Sequence, residues 1–523
     1  MLPKTHDADQ IGRKLDGSKE NGLQEVQSLK ESQAIDIEDD RNGKFHRSFT
    51  PRQVHIISLG SNIGSGVFIG TGKALALGGP GNMVIAYLAV CSCVWAVLQT
   101  LFEMTIAFPT SGNFIDYTDR WVDPALAFGA GFAEWLVTIF IVVTAAIFFL
   151  PNKAFAWFEY ITSLIKVALF VLIIILGIAL VAGAGPEGSV HDGSNWTELP
   201  AFKNGFFGFA NCALLATWAV GDQVFIGIMG GEAESPRFSM GHAAKLVPFR
   251  VNFVFMASVI FIGILVPSND DRLLGGSGVT ASPFIIAVND AGISGIPDIL
   301  NAGMITGILA IAAEGVYLSS RVLRTMAHQK LIPEVLAKVD SRGRPRWALA
   351  ITLATSILLT YLNLTPGGIT AFNWLVSITS ASFFVNWMII CLTSWRFHQA
   401  LVAQNDSLLS EVYAWKSWMW PTAPGWLMTV STLLLVSCIA AGVGDLRVTD
   451  FDIKVFLQYM VGIIIIVSFT LAYKIIMRTP WRDPKTADLV TGRRTLSEAE
   501  ISQLDAYYSM PRWRRFGTYV QVW

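Results

Sequence analysis

The sequence predicts an all-α polytopic membrane protein. Of its 523 residues, 53% are hydrophobic and only 15% are charged, whereas soluble domains carry about 25% charged residues. The apolar residues fall into repeated runs of about 20, the length that a helix needs to cross the hydrocarbon core. The loops between these runs alternate between basic and base-poor composition, as expected for a chain that crosses a membrane many times.

Eleven apolar spans lie between two polar tails. Residues 1–48 are polar, hold no apolar stretch typical of a signal peptide, and are predicted to be a disordered tail. Residues 478–523 form the second tail, in which the basic and aromatic cluster 511–516 either lies on a membrane surface or is simply solvated. The membrane domain between them, 49–477, holds spans at 54–77, 82–107, 125–150, 159–183, 206–230, 247–267, 297–321, 347–364, 372–395, 424–443 and 454–476.

The distribution of lysine and arginine predicts the orientation of the spans. The base-rich loops should face the cytosol, and both tails are then expected there too. The triplet Asn195-Trp196-Thr197 falls in a base-poor loop, so Asn195 is a weak candidate for N-glycosylation on the outer side. The main basic positions are Arg237, Lys245, Arg250, Arg321, Arg324, Lys330, Lys338, Arg342, Arg344, Arg346, Arg396, Lys474, Arg478, Arg482 and Lys485.

The number of spans conflicts with this orientation. Counting back from a cytosolic C-terminus, eight spans alternate cleanly and place Lys153 inside. Only three spans precede them, which would put the N-terminal tail outside, although Lys44, Arg47 and Arg52 beside the first span favour the cytosol. The segment 125–150 is too short for two crossings, so either this segment does not cross or part of the chain is missing there.

Composition and motifs also disfavour several functions. No Gly-x-x-x-x-Gly-Lys-Ser/Thr motif is present, so we expect no nucleotide partner, and nothing in the sequence predicts a nucleic-acid partner, a cofactor or an enzyme. All five cysteines lie within apolar runs. We therefore predict that they are core residues and form neither a metal site nor a disulfide framework: Cys91, Cys93, Cys212, Cys391 and Cys438.

The stretch "SLGSNIGSGVFIG", residues 58–70, places helix-breaking residues inside the first span. Glycine permits an unwound backbone that approaches a ligand closely, and irregular backbone at membrane depth is tolerated where it lines a cavity. A second interpretation is a small-residue face for helix packing, which Gly60, Gly64 and Gly66 partly fit. The residues alone leave both interpretations open.

Several long motifs resemble the fungal amino-acid permeases, the yeast amino acid transporter group of the amino acid–polyamine–organocation superfamily. They include "GSNIGSGVFIGTGKALALGGPGNMVIAYL", "GGEAESPR", "SPFIIAVNDAGI" and "FNWLVSITSASFFVNW", and the likeness covers residues 49–495. The resemblance implies twelve spans, of which the first ten form two inverted five-helix repeats and two more follow at the C-terminus. It also implies proton-driven import of amino acids by alternating access, and we expect the plasma membrane as its location.

The resemblance locates the parity conflict at Leu136-Val137. There, a stretch similar to the start of the family's third span abuts one similar to the end of its fourth. Part of both spans and the loop between them is thus missing, roughly 35–40 residues by comparison with two ordinary spans. The chain should therefore contain about eleven helices. A gene-model error and a genuine deletion are both open.

The resemblance places a substrate site at two broken helices. Backbone N–H groups at Ser61, Asn62, Ile63, Gly64, Ser65 and Gly66 would face the α-carboxylate of an amino acid. The corresponding break in span 206–230 would offer carbonyl groups to the ammonium group, at Ala219, Val220, Gly221 and Asp222. The chain departs from the family's usual Gly-Thr-Glu pattern here with Asp222-Gln223, which places the role of the family's glutamate in doubt.

Three charged residues inside spans are candidates for coupling or selectivity. Lys166 either extends to the cytosolic edge or resembles the lysine that takes the place of a sodium ion in proton-coupled relatives. Glu103 is a second coupling candidate, although structural pairing near the inner end of its span is the stronger interpretation. Glu314 either tunes selectivity towards cationic substrates or faces water.

These residues predict a secondary transporter that binds an amino acid and a proton within the lipid bilayer. Two alternatives remain open on sequence grounds: an amino-acid sensor built on the same fold, and a truncated permease that no longer transports. The substrate itself is not specified by the sequence.

Overall fold

The computed structural model describes residues 49–61, 63–64, 66–137, 152–221, 223–275, 282–341, 343–363, 368–444, 451–494 and 496–519. Within these ranges the regular structure is helical, with one isolated backbone bridge between Phe49 and Ala233. This agrees with the all-α prediction.

The first half of the chain forms nine labelled helices. In chain order, α1 to α9 are Pro51–Gly60, Thr71–Ala107, Asn113–Trp121, Pro124–Val137, Asn152–Val181, Gly205–Val220, Val224–Glu232, Pro236–Leu265 and Pro283–Asp290. A five-residue π-helical turn, Gly66–Gly70, precedes α2 directly.

The second half continues as a series of long helices and ends in two short ones. In order, α10 to α16 are Ile296–His328, Arg346–Asn363, Gly368–Ala403, Thr422–Val443, Ile453–Met477, Glu498–Ser509 and Arg512–Tyr519. One-turn helices also occur at Ser194–Thr197, Arg272–Gly275, Glu334–Ala337 and Leu408–Ser410.

Seven helices in the described part of the chain are long and apolar enough to cross a membrane. They are Gly66–Ala107, Phe155–Val181, Pro236–Leu265, Ile296–His328, Trp374–Ala403, Thr422–Val443 and Ile453–Met477. Each coincides with a predicted span, and shorter apolar helices occupy 205–220 and 346–358. The span predicted at 125–150 begins as α4, and its part beyond Val137 lies outside the described residues.

Two predicted spans, 54–77 and 82–107, are joined without a loop. The helix α2 contains the end of the first span and all of the second, and it is bent where Gly79 adopts a positive φ of 75° ahead of Pro80. A Cβ on Gly79 would lie 2.6 Å from the carbonyl oxygen of Pro200, so glycine is needed both for the backbone angle and for the close approach. A hydropathy pattern cannot distinguish such a bend from a loop.

The bundle is most deeply buried around α2, which packs against α6 and α8. The last long helix, α14, is peripheral: only 17% of its apolar window is buried, compared with 67% for the helix that contains α2. Aromatic rings attach α14 to α4, with Phe132 stacked on Phe469 at 3.9 Å between centroids and Phe128 on Tyr473 at 4.8 Å. The five cysteines are buried and unbridged, which confirms that they are core residues.

The C-terminal segment packs on the ends of the helices. Trp121 donates to the carbonyl oxygen of Asp488 at 3.0 Å, and the backbone N–H of Arg494 donates to Ala107 at 3.2 Å. Leu489 and Leu504 are buried beneath the segment. The segment is therefore built into the surface of the bundle.

Candidate functional site

Two helices are broken at the predicted positions. The first helix, α1, ends at Gly60, and helical structure resumes only at Gly66. The second, α6, ends at Val220, and α7 begins at Val224. Of the predicted site residues, Asn62, Ser65 and Asp222 lie outside the described residues.

The two breaks lie against each other. A Cβ placed on Gly66 would lie 2.7 Å from the Cβ of Ala219 and still closer to its Cα. At this point the backbones of the two broken helices are in contact, and only a residue without a side chain fits. The glycine-rich stretch thus packs on a neighbouring helix and is also unwound. The packing interpretation is therefore supported, and approach of this stretch to a ligand stays a prediction.

Local hydrogen bonds hold the chain on both sides of the breaks. The N–H of Ser61 donates to Ile57 at 2.7 Å, and the N–H of Phe68 donates to Gly64 at 3.0 Å. At the second break, the side-chain amide of Gln223 donates to the carbonyl oxygen of Val220 at 2.9 Å. Gln223 is fully buried and therefore helps to hold the end of α6.

Arg250 lies at the first break, although the sequence analysis counted it among the loop charges. Its Nη1 donates to the carbonyl oxygen of Ser61 at 2.9 Å. Arg250 is on α8 and its side chain is buried. Its Nε and Nη2 have no hydrogen-bond partner among the described residues. A cation there complements the negative end of α1. The loop assignment is wrong because α8 begins as early as Pro236, which places Arg250 well inside the helix.

Lys166 and Glu314 form a buried ion pair beside the same break. The Nζ of Lys166 donates to Oε1 of Glu314 at 3.0 Å, and Lys166 is fully buried. Extension of Lys166 to the cytosolic edge is therefore wrong. Glu314 is also buried and does not face water. Its predicted influence on selectivity stays a prediction.

Glu159 completes this charge cluster, and the sequence analysis missed it. Its Oε2 lies 4.0 Å from the Nζ of Lys166, which follows Glu159 by about two turns on α5. The side chain is fully buried, and neither carboxylate oxygen has a hydrogen-bond partner among the described residues. The spacing of Glu159 and Lys166, seven residues apart on one helix face, is the signal in the sequence that could have paired them.

Glu103 belongs to a different group of residues. Its carboxylate accepts the backbone N–H of Ser417 at 3.2 Å and lies 3.1 Å from Nε2 of His398. The imidazole of His398 is in turn stacked on Trp420 at 3.7 Å between centroids. These contacts favour the structural-pairing interpretation of Glu103 at the end of α2. Its role in coupling stays a prediction.

Asn195 lies on the one-turn helix Ser194–Thr197 and is partly buried. Its Nδ2 donates to the carbonyl oxygen of Ile264 at 2.8 Å. This nitrogen is the atom that a glycan would modify, so modification would require the hydrogen bond to be broken. Glycosylation of Asn195 stays a prediction.

A helical membrane bundle in which two broken helices meet is typical of membrane transporters. The sequence profile of the family described as "Amino acid permease" matches this chain at residues 53–149 and 132–483. The chain therefore belongs to the amino acid permease family, whose members are transporters and not enzymes. The two matched parts overlap at 132–149, where the sequence also places the junction at Leu136-Val137.

Individual relatives agree with the family. The amino-acid permease GAP5 of Candida albicans is 31% identical over 508 residues, covering 89% of this chain and 80% of the relative. The general amino-acid permease GAP1 of Saccharomyces cerevisiae is 29% identical over 510 residues, covering 89% and 84%.

Among solved structures, the chain is similar to MHP1, a nucleobase-cation-symport-1 family transporter, in a closed conformation with bromovinylhydantoin bound. The TM-score is 0.37 with 14% sequence identity, covering 76% of this chain and 94% of that structure.

Proposed function

We propose that this protein imports amino acids across the plasma membrane together with protons, by alternating access at the site between the two helix breaks. The observation that carries the proposal is the backbone contact between Gly66 and Ala219. It brings the start of one half-helix next to the end of another. The family and the printed names of the relatives supply the class of substrate.

An amino acid has one anionic and one cationic end, and the two breaks offer a partner for each. The N–H groups that begin the helical segment at Gly66 carry partial positive charge and suit the α-carboxylate. The carbonyl groups at the end of α6, from Ala219 to Gly221, carry partial negative charge and suit the ammonium group. Asn62, Ser65 and Asp222 belong to the proposed site by their positions in the sequence.

The charge cluster is the proposed site of proton coupling. Lys166 and Arg250 supply two positive charges, and Glu159 and Glu314 supply two negative ones. Loss or gain of one proton leaves a buried charge unbalanced, which is costly in a low-dielectric interior. Because the cluster connects α5, α8 and α10 to the end of α1, that cost acts directly on the first helix break.

The coupling proposal is tested by Lys166→Met, which removes the charge and keeps most of the side-chain volume. We expect loss of accumulation against a gradient, while exchange of internal for external amino acid continues. The control is Lys454→Met, at an exposed position at the start of α14, and uptake is measured with and without a protonophore. A Lys166→Met protein that still concentrates substrate in a protonophore-sensitive way would rule out the coupling role.

The proposed orientation places both tails in the cytosol and Asn195 outside. Cysteines introduced singly into the two tails should be inaccessible to an impermeant thiol reagent in intact cells. Endoglycosidase treatment of the wild type and of Asn195→Gln tests the glycosylation site directly. Labelling of either tail in sealed cells would contradict the orientation.

A transport-inactive truncated permease is the second candidate, and the overlap of the two family matches at 132–149 favours it. An amino-acid sensor is the third: it would bind substrate with little flux. Radiolabelled uptake and binding, measured on the same preparation, separate the three candidates. A transporter shows both uptake and binding, a sensor shows binding with little uptake, and an inactive truncated form shows neither.

A further inference from the structure

A cavity of about 250 Å³ lies between the first turns of α8 and the C-terminal helices α15 and α16. It is separate from the helix breaks and plays no part in the proposed transport cycle. Four cationic side chains line it: Arg237 and Lys245 from α8, and Arg512 and Arg515 from α16. Among the described residues, no carboxylate lines it.

Two acidic residues of the C-terminal segment have hydrogen-bond partners that do not line the cavity. Asp505 accepts a hydrogen bond from the hydroxyl of Tyr413, and Glu500 accepts one from Nη2 of Arg494 at 2.5 Å. Glu500 also completes the capping box at Ser497, at the start of α15. Neither carboxylate belongs to the lining that carries the four positive charges.

Specific contacts nevertheless hold the two sides of the cavity together. His242 on α8 lies 3.1 Å from the hydroxyl of Tyr507 on α15, and the ring of Phe238 packs edge-on against Tyr507 at 5.4 Å. Arg237 donates from Nε to the carbonyl oxygen of Tyr413 at 2.5 Å. These contacts hold α8 against α15, and the cationic side chains of α8 and α16 line the same cavity, where an anion would offset the repulsion between like charges.

The chemistry of the lining indicates which anion fits. Arginine presents a planar fork of donors that matches the oxygen atoms of a phosphoryl group, and lysine adds a point charge. The first turn of α8, which begins at Pro236, adds the positive end of a 30-residue helix. Trp415 and Tyr508 supply flat apolar walls suited to the ring or chain that carries the phosphate.

We propose that this cavity binds a phosphorylated anion, with the phosphoryl group bridging α8 and α16. Binding would remove the repulsion between the two sides and hold the C-terminal segment on the bundle. The same chemistry is offered by the headgroup of a phosphoinositide and by a soluble phosphate ester. The proposal does not depend on transport.

The test uses the purified full chain in lipid nanodiscs. In neutral phosphatidylcholine nanodiscs, inositol 1,4,5-trisphosphate and pyrophosphate are added as soluble probes. In parallel, 5% phosphatidylinositol 4,5-bisphosphate is included in the bilayer as the lipid probe. Binding is measured by titration with the radiolabelled soluble probe and by the rise in Tm. The Tm rises because a ligand that binds only the folded state stabilises it by mass action.

The variants Lys245→Gln and Arg512→Gln change exposed side chains, so folding should be preserved. Each should weaken binding at least tenfold, and the effect should shrink at high salt. Arg514→Gln is the matched control, since Arg514 is on the same helix but does not line the cavity.

A response to the lipid probe alone identifies a membrane headgroup, and a response to the soluble probes identifies a free phosphate ester. Either response, if lost in Lys245→Gln and Arg512→Gln but not in Arg514→Gln, supports the proposal. No response to any probe, or equal loss in all three variants, would overturn it.

Discussion

Replacement of Gly66 by alanine should separate the two helix breaks. The added Cβ would lie 2.7 Å from the Cβ of Ala219 and closer still to its Cα. Most of this clash is with backbone, which cannot rotate away as a flexible side chain can. Gly64 is a milder position, because a Cβ there meets chiefly the far end of the Ile311 side chain.

The cost of such overpacking is about 1–3 kcal/mol, and every 1.4 kcal/mol changes an equilibrium constant about tenfold. If half-helix contact forms the substrate site, amino-acid affinity should fall about 5- to 150-fold while the protein still reaches the cell surface. The assay is binding of a panel of radiolabelled amino acids to purified protein, together with the Tm.

The matched control is Gly425→Ala on α13, because a Cβ at Gly425 meets nothing within 4 Å. That variant should bind as the wild type does and be equally or slightly more stable. Unchanged affinity and Tm in Gly66→Ala would refute the contact between the breaks. A reduced Tm with unchanged affinity would refute only its role in binding.

Two further predictions concern charged residues away from the breaks. Glu232→Gln should lower the free energy of unfolding by about 3–5 kcal/mol, because Glu232 and Arg321 form a fully buried pair at 3.0 Å. Asp290→Asn, which breaks the exposed pair with Arg272, should cost under about 1 kcal/mol. Equal losses of Tm in the two variants would contradict this prediction. Burial raises the pKa of Asp119 from 3.8 to about 6, against the opposing charge of Arg482. Its native form therefore binds more protons than the unfolded chain in that window, and stability should fall as pH rises from about 4 to about 6, by on the order of 2 kcal/mol. Asp119→Asn should flatten this slope in thermal melts at pH 4.5, 5.5 and 7, and a steeper slope would contradict the prediction.

The fold was largely predictable because membrane insertion imposes a simple pattern. A span must be apolar for about 20 residues, and each of the seven long apolar helices lies on such a run. The breaks at Gly60–Gly66 and Val220–Val224 were also predictable, since glycine is costly inside a continuous helix unless the backbone must unwind or approach closely.

The partners of buried charges could not be predicted in this way. Lys166 and Glu314 lie 148 positions apart in the chain, and only the folded bundle brings them together. Arg250 looked like a loop residue because it stands at the edge of an apolar run. Its contact with Ser61 depends on where α8 begins and how it crosses α1. Hydropathy encodes depth in the membrane but not which neighbour a helix meets.

The helix α4 leads up to the predicted junction at Leu136-Val137. Its described part, 14 residues, extends about 21 Å at 1.5 Å per residue. Its first part is firmly placed: Phe132 stacks on Phe469 of α14, and the amide of Asn386 donates to Glu134 at 2.7 Å. The family-like start of the third span thus packs on α12 and α14 as far as Glu134.

The predicted span 125–150 is long enough for only one crossing. The full stretch 125–150 amounts to about 39 Å of helix, which suffices for one tilted passage but not for a passage and a return. The walls that the third and fourth spans would give the bundle must then come from one helix. We predict that inserting a family-like segment of roughly 35–40 residues between Leu136 and Val137 raises uptake per surface-exposed molecule at least tenfold.

The control carries an insertion of the same length within residues 1–48, which should leave uptake unchanged. Mass spectrometry confirms that the shorter form is intact, and surface labelling corrects for delivery to the membrane. Equal, strong, protonophore-sensitive uptake by the 523-residue form and the extended form would show that one helix can serve in place of two. It would also mean that the parity conflict is resolved in the orientation of the first spans and not in the loss of transport.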